Sequence, residues 1–172
     1  MNKWPQLDYL SWRETCSVLH LYLQIAGKYR LAHTPWLNHS WNATFYVTPR
    51  GLASSPIPDG PGIEILFDLR EHRIVGTCGN GRQESFDLRP MTVATFHASF
   101  VQLVSDLGGT PTFHGSPNEV PYPIPFAEDD RLVIAAQGRA EPDRSACADV
   151  HPTDQIGVRR NPTIGVDLRA LP

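Results

Sequence analysis

"IEILFDLREHRIVGTCGNGRQESFDL", residues 63–88, decides the fold class. Ile63, Ile65, Phe67 and Leu69 alternate with Glu64, Leu66 and Asp68, the two-residue period of a strand with one face on a core. "RIVGTC" (73–78) and "QESFDL" (83–88) continue as strands. The links "REH" and "GNGR" suit hairpins, so the three segments read as an antiparallel meander. Upstream, "ATFYVT" (43–48) predicts a further strand, with Phe45 and Val47 on one face and Thr44, Tyr46 and Thr48 on the other. "PRGLASSPIPDGPG" (49–62), full of Pro and Gly, reads as a long loop.

Helices flank this meander. Cys16, Leu19, Leu23 and Ala26 recur at steps of three and four, and Val18, Leu21, Tyr22 and Ile25 add a second apolar face. That pattern predicts a largely buried helix. Ser11 and Glu14 read as its capping box, and Gly27 as the left-handed residue just past its end. Tyr29, Leu31 and His33 then alternate with Arg30, Ala32 and Thr34 as a strand would. Thr92 is placed to cap a second helix reaching about Leu107, with Val93, Phe96, Phe100, Leu103 and Leu107 as its stripe and Gly108-Gly109 as its stop. "TPTFHG" (110–115) reads as a short strand, and "SPNEVPYPIPF" (116–126) as extended chain, because proline excludes helix. The order predicts an α+β fold: an antiparallel β-meander sheet with two helices packed on one face, then an extended Pro-rich segment. No aromatic residue follows Phe126. The expectation is therefore one α+β domain over 1–126 and a disordered C-terminal tail over 127–172.

Composition limits the function classes. The 172 residues suffice for one domain with a core, and 41% hydrophobic with 19% charged residues is a globular balance. A net charge of -3 gives no electrostatic reason to expect nucleic acid or an anionic membrane as partner. The first residues lack the basic start and apolar run of a secretory signal, and no apolar stretch is long enough to span a bilayer. Cys16, Cys78 and Cys147 are odd in number and form no C-x-x-C pair, which fits free thiols in a reducing compartment. Together these point to the cytoplasm.

A series of motifs carries a family resemblance: "WPQL", "W..T...LH...Q..GK.RL", "P..NH.W", "YVT.RGL.SSP", "FDL..HR" and "P.EVP.PIPF.ED", in that order over roughly residues 4–129. The chain resembles the N-terminal half of a bacterial uncharacterised family, domain of unknown function 5996. The resemblance implies no activity. It does imply a second half, which residues after about Asp130 do not match. In that family the second half carries a "GK…P.H.FW…D" segment that looks like an echo of the first. Two lysines against thirteen arginines indicate a GC-rich gene. The tail then reads either as a frame-shifted sequence or as a genuine short variant.

The candidate chemistry is polar and scattered. His20 and Gln24 lie one helical turn apart, with His20 as general base and Gln24 positioning it; the alternative is that both hydrogen-bond locally. Lys28 stands four residues further on but falls beyond the predicted helix stop. Asn38 and His39 occupy a polar turn near Trp36 and Trp41, where His39 is a second acid/base candidate. Lys28, Arg30 and Arg50 are basic members of the family-like motifs and suit a carboxylate or phosphate. With no H-E-x-x-H or C-x-x-C, no metal site is assigned, and no cofactor is implied. Three readings follow. One is binding of a small polar or anionic ligand through His20, Gln24, Lys28, Asn38, His39 and Arg50. Another is a hydrolase-like enzyme using His39 or His20 as acid/base. The last is a non-catalytic interaction module whose tryptophans bury a partner, either a second half or, by self-association through exposed apolar surface, another copy.

Overall fold

The computed structural model describes residues 8–133. Five strands form one antiparallel sheet in sequential order: β1 (Tyr46–Thr48), β2 (Gly51–Ala53), β3 (Ile63–Asp68), β4 (Arg73–Cys78) and β5 (Gln83–Asp87). The register lines Val47, Leu52, Phe67, Ile74 and Phe86 across one face. Phe67 and Ile74, in the middle of that row, are wholly buried, whereas Val47 at its end is exposed. The expected meander of β3, β4 and β5 is present with its two short links. The expected loop at 49–62 contains β2, because the two-residue turn Pro49-Arg50 folds Gly51–Ala53 back onto β1.

Helix α2 (Val93–Asp106) lies on the apolar face. Thr92 caps it by accepting from Thr95 N, and Gly108 beyond its end takes φ +81°, as the Gly-Gly stop requires. Gly76 of β4 makes room for it: a Cβ there would lie 2.4 Å from Leu107 Cδ1. Phe96 stacks on Tyr22 at 3.8 Å between ring centres and also meets Phe67 and Phe86. Truncating so buried an aromatic costs about 3–5 kcal/mol, so Phe96 anchors helix, helix and sheet together.

Helix α1 (Tyr9–His33) runs 25 residues and overturns two expectations. Its N-cap is Asp8, whose carboxylate accepts from Leu10 N; Ser11 instead donates to Asp8 O at 2.7 Å. It also passes through Gly27 without stopping, so the strand predicted over 29–34 is the last turn and a half of helix. Thr34 caps it by donating to Arg30 O. The physical reason is tertiary. Tyr29, just beyond Gly27, is fully buried against Phe100 and Phe113. Glycine inside a helix costs roughly 1 kcal/mol, whereas burying an aromatic side chain returns about 1.5–3 kcal/mol.

Two further segments differ from expectation. Residues 110–115 pair with no strand; Phe113 packs on Tyr29 and Phe100, so the segment is fixed by its side chain. Beyond Phe126 the fold continues: Ala94 N donates to Asp129 O, and β6 (Met91–Thr92) pairs with β7 (Leu132–Val133). Residues 127–133 therefore belong to the fold, against the expected tail boundary. The remaining tail, 134–172, lies outside the described residues.

Candidate functional site: the end of helix α1 and strand β1

Because α1 continues past Gly27, His20, Gln24 and Lys28 do share one helix face. Gln24 clamps the backbone of Asn118, accepting from its N at 2.8 Å and donating to its O at 3.0 Å. The same amide nitrogen lies 3.2 Å from His20 Nε2. Gln24 therefore ties the proline-rich segment to α1. Desolvation holds His20 below the ordinary imidazole range, opposed by the charge of Glu119. Desolvation also lowers Lys28, which has no ion-pair partner among the described residues.

The other candidates separate. Arg50 stands in the β1–β2 turn and ion-pairs with Asp68, which is wholly buried. Burial pushes the Asp68 carboxyl up, but the N–H groups of Glu71 and Arg70 and the Arg50 guanidinium outweigh it, so its pKa falls below the usual range. Arg50 thus serves the turn. Asn38 and His39 begin the 3₁₀ segment Asn38–Ala43, between α1 and β1. His39 is exposed, with a left-handed φ of 57°. Among the described residues no hydrogen bond or ion pair links either residue to His20, Gln24 or Arg50.

Three residues missing from that set are more ordered. Asp59 Oδ2 accepts from Tyr29 OH at 2.8 Å and from Thr110 N at 2.6 Å, with His33 Nε2 3.7 Å away. His33 Nδ1 faces the carbonyl of Tyr29 at 2.9 Å, so this nitrogen is the donor. The cluster pins the end of α1 to the loop before β3 and to the chain after α2. Only a helix brings Tyr29 and His33 together, at i and i+4, so the strand reading hid them.

Next to this cluster is a charge without a counter-ion among the described residues. Arg30 is 5% exposed. Its Nη2 donates to Ser55 Oγ at 2.9 Å, and its guanidinium carbon stands 5.8 Å from the centre of the Tyr46 ring. Nε and Nη1 have no hydrogen-bond partner among the described residues. Arginine is seldom buried unpaired, and a cation–π contact offsets only part of the desolvation.

The stretch of chain that leads into Tyr46 exposes large apolar side chains. Trp36 is 70% exposed, Trp41 66%, Val47 87% and Tyr46 49%. Leu31 and Leu37, in the same stretch of chain, are exposed as well. A cluster of large exposed apolar side chains within seventeen residues is unlike the scattered exposure of an ordinary surface. Among the described residues no group of three His, Cys, Asp or Glu is placed to hold a metal ion, and no helix is long and apolar enough to cross a membrane.

The fold is an α+β domain that exposes several aromatic side chains between the end of α1 and β1. A family of unknown function (DUF5996) matches residues 4–135, and the chain belongs to that family. The match ends two residues after β7, so all of the described structure lies within the family's domain. Neither a curated protein nor a solved structure is significantly similar to the chain.

Proposed function

We propose that this is a binding domain of the cytoplasm and that its working face is the end of α1, the 38–43 segment and β1. The observation that supports the reading is the joint exposure of Trp36, Trp41 and Val47 within twelve residues of chain. Tryptophan and tyrosine beside arginine are the residue types that dominate binding hot spots. The buried thiol of Cys78, which donates to Leu107 O at 3.2 Å, is at home in a reducing compartment.

The test is photocrosslinking in cells that express the full chain. Val47→p-benzoyl-phenylalanine should give discrete protein adducts. The same group at Gln83, exposed on the opposite sheet edge, should give none. No adduct from residue 47, or an equal pattern from both sites, would overturn the reading.

A second reading, binding of a small carboxylate or phosphate, is favoured by one observation: the Arg30 nitrogens without partners. Acetate, benzoate or phosphate should then raise the melting temperature of the wild type and not that of Arg30→Met. If none of the three shifts the wild type, or if Arg30→Met responds equally, this reading fails.

A further inference from the structure

The two edges of the sheet are built differently. At the far edge, β5 runs Gln83-Glu84-Ser85-Phe86-Asp87, with Arg82 paired to Glu84 and Arg89 to Asp87. Charges of this kind blunt an edge against pairing. The near edge, β1, runs Tyr46-Val47-Thr48 and carries no charge. It ends the strand order, and its central residue is the most exposed of the apolar cluster.

The ladder shows what that edge offers. Leu69 N donates to Arg50 O, and Ser54 N donates to Ile65 O, so those two residues turn their backbone groups toward β3. By alternation, Gly51 and Ala53 turn theirs toward β1, where their partners are Thr48 and Tyr46. Val47 is therefore left with its N–H and C=O directed outward. An outward strand with an uncharged, β-branched centre is a template for another strand.

Resting on the binding-face reading, we propose that its occupant is a second copy of this chain, paired antiparallel through β1 about a two-fold axis at Val47. In that arrangement each Val47 exchanges N–H···O bonds with its counterpart, the two valine side chains face each other, and Tyr46 lies opposite the partner's Thr48. An isologous contact requires the strand to tolerate itself, and three uncharged residues do so without like charges meeting. Pro49 has no N–H, so the shared ladder stays short and apolar contact must carry the affinity. The exposed parts of Trp36, Leu37, Trp41, Tyr46 and Val47 offer roughly 600 Å² per copy, against about 800 Å² on each side of a standard stable interface. That scale fits a reversible dimer better than an obligate one.

Sedimentation velocity of the full chain from about 1 to 200 μM, the range of a weak dimer, tests the proposal. The weight-average mass should rise from one toward two times 19.2 kDa with concentration. Val47→Lys, which changes only an exposed side chain, should move the transition at least tenfold higher in concentration while the far-ultraviolet circular dichroism stays unchanged. Trp36→Ser should weaken it in the same direction, and Gln83→Lys on the opposite edge should not. A chain monomeric throughout, or a dimer that Val47→Lys leaves intact, overturns the proposal. If the chain is monomeric and the benzophenone at residue 47 captures a different protein, the pairing fails and the binding face stands. If residue 47 also captures nothing, both fall.

Discussion

Replacing Gly27 with alanine should stabilise the protein by about 1 kcal/mol, the helix-interior difference between the two residues. The structure determines the sign. Gly27 is in the middle of α1 with no positive φ, and the new Cβ would meet only the Phe45 ring, at 3.9 Å. Nothing must move to admit the methyl group, and the unfolded chain loses freedom as well. For a domain of this size, the gain corresponds to a rise in melting temperature of about 3–5 °C. Urea denaturation should show a higher midpoint with an unchanged slope. Had the helix stopped at Gly27, with that residue in the left-handed region, alanine would be strained and the melting temperature would fall. A loss of about 1 kcal/mol or more would therefore refute the continuous helix and, with it, the placement of Tyr29, Arg30 and His33.

The opposite result is expected at Gly76, where a Cβ would stand 2.4 Å from Leu107 Cδ1 and 2.7 Å from Leu103 Cδ2; Gly76→Ala should cost about 1–3 kcal/mol by overpacking, read by the same denaturation. Tyr29→Phe should cost about 1–3 kcal/mol, because it leaves the nearly buried Asp59 carboxylate short of a donor; a cost below a few tenths would show that the bond is not formed. Acid should destabilise the fold in two stages. Desolvation lowers His97, packed against Phe113 and Phe126, and lowers His20 against the opposing charge of Glu119. The unfolded chain then binds more protons, and stability falls as pH drops from about 7 through the folded values. In His97→Phe that slope should be shallower, as measured by melting temperature against pH. Asp68 and Asp129 are lowered too, so what they contribute is present above the ordinary carboxylate range and is lost as pH falls through their folded values.

By itself the sequence determined the elements whose signals are local. The alternation of Ile63, Ile65 and Phe67, the short links at 70–72 and 79–82, and the Thr92 cap with its Gly108 stop all lie within a few residues of what they specify. The apolar stripe at steps of three and four likewise specified α1 as far as Ala26. Its ordered motifs also indicated the family. The tertiary structure alone decided what α1 does after Gly27. Helix propensity there is unfavourable, and it is outweighed by contacts of Tyr29 with Asp59, Phe100 and Phe113, residues distant in sequence. The candidate row His20, Gln24 and Lys28 depended on the same fact in two ways. Its alignment needed the longer helix, and its use as a structural clamp needed Asn118, 94 positions beyond Gln24. Exposure was equally out of reach. Tyr46-Val47-Thr48 and Ile63-Glu64-Ile65 both read as strands, and only the strand order makes the first an open edge and buries Ile63 and Ile65 of the second. A hydrogen-bonded edge is a property of which strands lack a neighbour, and that is set by the whole sheet, not by any one segment of it.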